Sequence, residues 1–161
     1  RPLADDAMLR LPLVGAGLLK FGAVRAGRES ARTLLAAGEA VTIFPEGARG
    51  ADKGFGRRYR LQSFGRGGFV KLALETGAPI VPVAIVGAEE AHPRLTPRLP
   101  WLGPLGLWPA PSKWIIEFGE PLELEAPAGS GSGFERPAEE VRRALQARVD
   151  RLLRTRRGIF R

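Results

Sequence analysis

The fold is decided mainly by one stretch of the chain, Ala40-Val41-Thr42-Ile43-Phe44-Pro45-Glu46-Gly47-Ala48-Arg49. Its first half is a short apolar, β-branched run that lies between Gly38 and Pro45. Such a run, bounded by turn-forming residues, is typical of a strand that is buried on both faces of a parallel sheet. Because proline cannot donate a ladder hydrogen bond, we expect this strand to end at Pro45.

Helical patterns lie on both sides of that strand. Residues 28–37 place apolar side chains on one face and end at Gly38, and residues 69–76 do the same and end at Gly77. Glycine at these positions is the expected helix stop. Residues 45–68 show no regular period and predict a long loop, which is usually functional in a compact domain. Residues 80–86 predict a second buried strand, and Pro82 within it indicates a strand end, an edge or a bulge.

The two ends of the chain extend this alternation. Residues 7–20 predict a short helix, or a helix and a turn, and a strand follows near residues 22–25. Residues 95–111, rich in Leu, Pro, Trp and Gly, predict no regular helix, whereas residues 114–118 predict another strand. After a Gly- and Ser-rich linker at residues 129–133, apolar residues recur every three or four positions from Val141 to Leu152.

We therefore predict the α/β class, with a mainly parallel sheet flanked by helices and a C-terminal amphipathic helix. At 161 residues, the chain is long enough for one domain with a real core, so we assign residues 1–161 to a single domain.

Composition narrows the function classes. The chain has 25 Lys and Arg against 17 Asp and Glu, a net charge of +8, so its surface should attract anions, either nucleic acid or anionic lipid. There is no cysteine and His92 is the only histidine, which excludes thiolate sites and leads us to predict no metal. The longest apolar stretch, residues 11–24, contains Lys20 and is shorter than the ~20 residues that span a bilayer, so we predict no transmembrane helix.

Residues 44–49 carry the chemistry. Pro45 ends the strand, Gly47 lets the backbone approach a ligand closely, and Arg49 offers a planar fork of donors to a phosphate. Glu46 is suited either to orient Arg49 or to hold a substrate hydroxyl. From these residues alone, a strand-terminating turn with a surface ion pair is an equally good interpretation.

Residues 44–49 also resemble the phosphate-binding F-P-E-G-T-R motif of the lysophospholipid acyltransferases, which include the 1-acylglycerol-3-phosphate acyltransferases. Three more blocks follow the order of that family. Gly22 with Arg28 resembles its upstream glycine and arginine motif, residues 68–79 resemble the helix and turn before its fourth motif, and residues 80–84 resemble the fourth motif itself.

The resemblance implies a glycerolipid acyltransferase-like fold and an O-acyltransferase of phospholipid biosynthesis. The enzyme would move a fatty acyl group from acyl-CoA or acyl-carrier protein to a hydroxyl of a glycerolipid or lysophospholipid. These donors are co-substrates, and no cofactor is implied. The expected location is peripheral, on the anionic cytoplasmic face of a membrane. The substrate-binding residues that the resemblance implies are Arg28, Phe44, Pro45, Glu46, Gly47, Ala48 and Arg49.

The chain departs from the family pattern in two places. Ala48 stands where the family has threonine, which removes a hydroxyl donor. The family's catalytic H-x-x-x-x-D should precede Gly22 and is absent, and His92 does not replace it because it follows the fourth motif and position 97 is proline. We therefore expect a domain without its N-terminal portion, with no catalytic residue in this chain, that binds its acceptor without turnover.

Two other interpretations stay open. One is a non-catalytic lipid- or phosphate-binding relative that truly lacks the histidine. The other is a nucleic-acid-binding protein, in which Tyr59 and Phe64 would be exposed among basic residues. The basic residues concerned are Arg57, Arg58, Arg60 and Arg66.

Overall fold

A computed structural model describes residues 1–12, 14–51, 53–91, 111–124 and 133–158. Most of the predicted irregular stretch, namely residues 95–110, lies outside these ranges, as do His92 and residues 129–132 of the predicted linker.

Short strands and helices alternate along the described chain. In order they are β1 (Leu3–Ala4), α1 (Asp6–Leu9), α2 (Val14–Lys20), β2 (Val24–Arg25), α3 (Arg28–Ala36), α4 (Ala48–Ala51), a 3-10 turn (Phe55–Arg57), α5 (Gly68–Thr76), β3 (Val83–Val86), α6 (Ala88–Ala91), β4 (Ile115–Phe118) and α7 (Glu135–Thr155). Helices α3 and α5 confirm the predicted elements, and Gly77 ends α5 in the left-handed conformation that favours glycine. None of the described helices combines the length and apolar character needed to cross a bilayer.

The described strands form two small sheets of opposite type. β1 and β2 pair in parallel, and a single parallel bridge joins Pro2 to Thr42 beside them. β3 and β4 pair antiparallel over four residues, with Val83 opposite Phe118 and Val86 opposite Ile115. These elements are compatible with the α/β class, but the prediction of a mainly parallel sheet is wrong for the described strands. An apolar run is more common in parallel strands, but it does not fix the direction in which a strand pairs.

The strand predicted at residues 40–44 is reduced to that one bridge. Leu3 donates its N–H to the carbonyl of Thr42 at 3.1 Å, and Thr42 donates to the carbonyl of Arg1 at 2.9 Å. Thr42 is exposed and Phe44 is 63% exposed, so the predicted burial on both faces is wrong. Within the described residues this segment is paired on one side only, which leaves its apolar side chains open to solvent.

The prediction for Pro82 is confirmed. β3 begins at Val83, directly after the proline, and the carbonyl of Pro82 accepts the N–H of Gly119 at 2.8 Å. The proline therefore stands at the strand end, where its missing N–H costs no ladder bond.

Helix α7 packs on both hydrophobic clusters of the described chain. One cluster joins Val149 and Leu152 to the buried residues of β3, and the other joins Ala138 and Val141 to the start of α5. Leu145 contacts both clusters. The helix thus connects the β3–β4 sheet to the loop between α4 and α5, and it is this loop that supports the candidate site.

Candidate functional site

Residues 44–49 form a tight turn at the surface, here called the 44–49 turn. Gly47 donates its N–H to the carbonyl of Phe44 at 3.0 Å and has a φ of 57°, which is easily adopted only by glycine. Pro45 is half-buried behind the exposed Phe44. Helix α4 starts at Ala48, so the last two residues of the turn are the first two of this helix. This conformation explains why glycine stands at position 47, and close approach of its backbone to a ligand stays a prediction.

Glu46 points inward from this turn. Its carboxylate accepts the N–H of Gln62 at 2.8 Å and lies 3.4 Å from the ammonium of Lys53. A Cβ at Gly50 would lie only 2.8 Å from the Cβ of Glu46, so glycine makes room for this side chain. Both contacts tie Glu46 to the protein, and its observed role is to anchor the turn.

Arg49 points toward a different neighbour. Its Nη2 donates to the carbonyl of Ser63 at 3.4 Å, and the residue is exposed. In the described part of the chain, no carboxylate lies within ion-pair distance of its guanidinium. The surface ion pair between Glu46 and Arg49 that the sequence left open is therefore not formed. Most of the Arg49 donor fork faces solvent, where it is accessible to an anion.

The structure does not bring Arg28 into contact with the 44–49 turn. Arg28 is the first residue of α3 and forms an exposed ion pair with Glu75 of α5. The hydrogen bond from Arg28 lowers the pKa of the Glu75 carboxyl. Arg28 and Arg49 thus have different partners, and a phosphate at Arg28 would have to compete with Glu75.

Lys53 is a site residue that the sequence analysis missed. Its side chain is 5% exposed and its ammonium contacts Glu46, Glu89 at 2.8 Å and the carbonyl of Arg60 at 3.1 Å. Composition held a weak signal for it, because lysine occurs only at positions 20, 53, 71 and 113 of this arginine-rich chain. A compact ammonium fits a small buried site between two carboxylates better than a planar guanidinium does.

Residues 59–63 form what we call the supporting segment, which runs between the turn and α7. On the turn side, Glu46 binds the N–H of Gln62 and Arg49 binds the carbonyl of Ser63. On the helix side, Gln146 accepts the N–H of Leu61 at 2.8 Å and donates to the carbonyl of Tyr59 at 2.9 Å, and Arg142 donates to the carbonyl of Leu61 at 3.2 Å. Side chains thus supply the partners that a sheet would otherwise give.

Beyond Arg49, a shallow hollow of about 400 Å³ lies between residues 63–65 and the start of α7. Glu135 and Glu139 are part of its wall. The two hydrogen bonds from Arg142, at 2.7 Å each, hold the pKa of Glu139 at about 2, so this carboxylate stays ionised. An acidic wall does not favour a phosphate, so any binding of an anion here would depend on Arg49 itself.

The two aromatic residues considered for nucleic-acid binding are buried. Tyr59 and Phe64 are each 6% exposed, and burial raises the pKa of the Tyr59 hydroxyl, which accepts the N–H of Gly87 at 2.9 Å. Neither ring is available to stack on a base. In the described ranges, no group of three or more His, Cys, Asp or Glu side chains is arranged to hold a metal ion.

Comparison with known proteins agrees with the resemblance noted in the sequence. A family model described as Acyltransferase matches residues 1–86, which is more than half of the chain and includes the 44–49 turn. An uncharacterized protein of Mycobacterium bovis is 43% identical over 99% of this chain and 51% of its own length. An uncharacterized protein of Mycobacterium leprae is 44% identical over 99% of this chain and 49% of its own length.

The chain spans about half the length of these relatives. No solved structure matches it. The family match covers β1 through β3, and with it both the turn and the supporting segment. The chain belongs to the acyltransferase family.

Proposed function

We propose that the protein transfers a fatty acyl group from acyl-CoA or acyl-carrier protein to a hydroxyl of a phosphate-bearing glycerolipid. Arg49 binds the acceptor's phosphate. The observation that carries this proposal is the state of the Arg49 guanidinium, which belongs to an exposed residue, donates to a carbonyl at 3.4 Å and has no carboxylate partner among the described residues. Planar, bidentate recognition of phosphate is the interaction to which arginine is best suited.

The other residues of the 44–49 turn determine the shape of the proposed binding site. Gly47 keeps side-chain bulk away from the ligand, and Glu46 fixes the turn from behind. Phe44 and Pro45 border the ligand, and Phe44 is exposed enough to contact an acyl chain or a glycerol backbone. Ala48 presents no hydroxyl where the family has threonine, so we expect fewer hydrogen bonds to the phosphate than in relatives with threonine. Arg28 is the proposed second phosphate ligand once it leaves Glu75.

The proton-transfer step needs a base that this chain does not supply at the family's position. We propose that a histidine general base, oriented by an aspartate, takes the proton of the acceptor hydroxyl as that oxygen attacks the acyl thioester. The acyl–sulfur bond breaks, and the leaving thiolate takes up the proton from the histidine and departs as a thiol. This 161-residue chain accordingly binds the acceptor without turning it over, and measurable acyl transfer by the chain alone would contradict that expectation.

We further propose that the protein works as a peripheral protein on the anionic cytoplasmic face of a membrane. The net charge of +8 favours anionic lipid, and several large apolar side chains are exposed near the parallel strands. Those side chains belong to Met8, Leu11, Leu19, Phe21 and Phe44. Co-flotation with vesicles that contain anionic lipid, and not with purely zwitterionic vesicles, is the expected result. Equal flotation with both would contradict the electrostatic part.

Phosphate binding is tested with the soluble headgroup sn-glycerol 3-phosphate, by isothermal titration of the 161-residue chain. We expect Arg49→Ala to weaken binding about tenfold, since a charge-assisted bidentate contact is lost. Arg57→Ala is the matched control, because Arg57 is an exposed arginine of the same loop and should leave affinity unchanged. Equal affinity of the parent and Arg49→Ala would refute the role of Arg49.

The acceptor class is tested on the full-length protein. Initial rates are compared for lysophosphatidate, other lysophospholipids and monoacylglycerol. Arg49→Ala should lower kcat/KM for the phosphate-bearing acceptors and leave monoacylglycerol unaffected. A non-catalytic relative would show headgroup binding in the titration and no transfer to any acceptor.

A further inference from the structure

The ammonium of Lys53 is buried, and its surroundings are built for it. An ammonium has three N–H donors, and among the described residues Lys53 has three partners: Glu89 at 2.8 Å, the carbonyl of Arg60 at 3.1 Å and Glu46 at 3.4 Å. Only 5% of the side chain is exposed, so the ammonium has lost most of its hydration. These three partners compensate for that loss. Lys53 is therefore occupied by the protein and is not a ligand for substrate.

Lys53 is connected to the 44–49 turn through Glu46. Glu46 holds the N–H of Gln62, and Arg49 reaches the carbonyl of the next residue, Ser63. The anchor and the phosphate ligand of the turn thus lie against neighbouring residues of the supporting segment. A change in the position of Glu46 relative to Gln62 would also change where the Arg49 guanidinium points.

Glu89 fixes the other side of Lys53. One Glu89 oxygen accepts from Lys53 and the other accepts the N–H of Tyr59 at 2.7 Å. Glu89 belongs to α6, which follows β3 after Gly87, so Lys53 ties the turn to the end of β3 in the β3–β4 sheet. Without Lys53, the Glu46 and Glu89 carboxylates would remain partly buried with no cation between them, at 16% and 33% side-chain exposure.

We propose that Lys53 is a positioning residue for acceptor binding: it holds Glu46 against Gln62 and thereby keeps Arg49 oriented toward the acceptor's phosphate. This inference rests on the proposed function, in which Arg49 binds that phosphate. It adds a residue outside the 44–49 turn whose effect on the substrate is exerted entirely through Glu46.

Amide hydrogen exchange tests, without any ligand, whether Lys53 holds Glu46 against Gln62. In Lys53→Met, the Gln62 amide should exchange about tenfold faster, because its acceptor loses the cation that holds it in place. The Leu61 amide is the internal control, since it is bound by Gln146 and should keep its protection. Unchanged exchange at Gln62 would overturn the proposal, as would an equal acceleration at Leu61 and Gln62.

A second variant guards against a Lys53→Met protein that does not fold. Glu46→Gln keeps the size of the side chain and an oxygen that can accept from Gln62, and it removes the charge that Lys53 attracts. We expect a smaller acceleration at Gln62, about threefold, because a neutral hydrogen bond is weaker than a charge-assisted one. No acceleration in this variant would show that the ion pair does not hold Glu46.

Titration with sn-glycerol 3-phosphate tests whether Lys53 affects phosphate binding. Lys53→Met should raise the Kd about tenfold, as Arg49→Ala does, because the same guanidinium is lost or misplaced. Val149→Ala is the stability control, because it removes buried methyl groups from the cluster beside β3 and should not change the Kd. A parent-like Kd in Lys53→Met would overturn the proposal.

Kinetics of the full-length protein give a readout that a purely structural role would not move. Lys53→Met should raise KM for lysophosphatidate about tenfold with a smaller change in kcat, and leave KM for monoacylglycerol unchanged. The two proposals fail in different ways. If Arg49→Ala binds phosphate like the parent, the proposed function fails, while the exchange rate at Gln62 still decides whether Lys53 holds Glu46.

Discussion

The side-chain oxygen of Gln146 accepts the backbone N–H of Leu61 at 2.8 Å, although 85 positions separate the two residues in sequence. The Gln146 amide nitrogen donates to the carbonyl of Tyr59 and to Asp150, both at 2.9 Å. One side chain of α7 therefore satisfies two backbone groups of the supporting segment. This contact is the most direct link between the C-terminal helix and the loop that carries the candidate site.

Removal of that link should destabilise the protein. We expect Gln146→Ala to lower the free energy of unfolding by about 2 kcal/mol, because it leaves a half-buried N–H and a carbonyl without their partner. Urea denaturation measures the difference. Ala147→Ser, at an exposed position of the same helix, should lie within about 0.5 kcal/mol of the parent. An equally small effect of Gln146→Ala would mean that water replaces the contact at no cost.

The buried pair of Arg156 and Glu90 should be costly to break on one side only. The two side chains are 4% and 7% exposed, and Arg156 also donates to the carbonyl of Lys113 at 2.8 Å. Arg156→Met should lower the unfolding free energy by about 3–5 kcal/mol, since Glu90 is left as a buried charge. The double variant Arg156→Met with Glu90→Leu should recover part of that loss. If the double variant is no more stable than the single one, the cost does not come from the orphaned carboxylate.

The lowered pKa of Glu139 predicts how the stability of the protein depends on pH. Its folded pKa of about 2 lies below the ordinary 4.5, because Arg142 and Arg143 donate hydrogen bonds to it. A depressed carboxyl pKa contributes stability that is fully present above the ordinary value and is lost as the pH falls toward the folded one. The stability difference between the parent and Glu139→Gln should therefore shrink between pH 4.5 and about pH 2. Urea titrations at several pH values check this. Glu140→Gln, which loses only an exposed pair with Arg136, should show little difference at any pH.

Release of Arg28 from its carboxylate tests its proposed role as a second phosphate ligand. Glu75→Gln should strengthen binding of sn-glycerol 3-phosphate about twofold, because the phosphate no longer competes with Glu75 for the guanidinium. Arg28→Ala should weaken binding by a similar factor. Glu29→Gln, an exposed neighbour on α3, is the control for a general change in charge. No effect from either Glu75→Gln or Arg28→Ala would remove Arg28 from the site.

Gly67 should tolerate no side chain. It has a φ of 70°, and a Cβ there would lie 2.1 Å from the carbonyl oxygen of Phe134, just before α7. We expect Gly67→Ala to cost about 2 kcal/mol or more in thermal or urea unfolding. The adjacent Gly68→Ala is a matched control, because nothing lies within 4 Å of its Cβ position and alanine favours the first turn of α5. Equal losses in both variants would contradict the steric explanation.

The longer helices were the most predictable part of the fold, whereas α4 and the 3-10 turn lie inside the stretch predicted as a loop. The spacing of apolar residues and a glycine after the last turn predict both α3 and α5. These signals depend only on residues that are close together in the sequence. The direction of β4 could not be predicted in this way, because strand pairing depends on the path of the chain between β3 and β4. The exposure of residues 40–44 was missed for a related reason, since burial depends on what lies against a segment and not on its own residues.

In the candidate site, the 44–49 turn was predictable and its support was not. The turn is encoded locally by Pro45 and Gly47. Lys53, by contrast, is held in place by Glu89, and the supporting segment is held by Gln146 and Arg142. Contacts over such separations leave no period or motif in the sequence, so residues 45–68 appeared simply irregular.

The side-chain bonding of the supporting segment also has an evolutionary consequence. A strand inside a sheet keeps its backbone partners whatever side chains it carries, whereas residues 59–63 depend on side chains drawn from distant parts of the gene. Single-codon changes at Gln146 or Arg142 can therefore adjust how firmly the turn is held without any change in residues 44–49. If the proposed function holds, selection for a different acceptor could act through these supporting side chains and leave residues 44–49 unchanged.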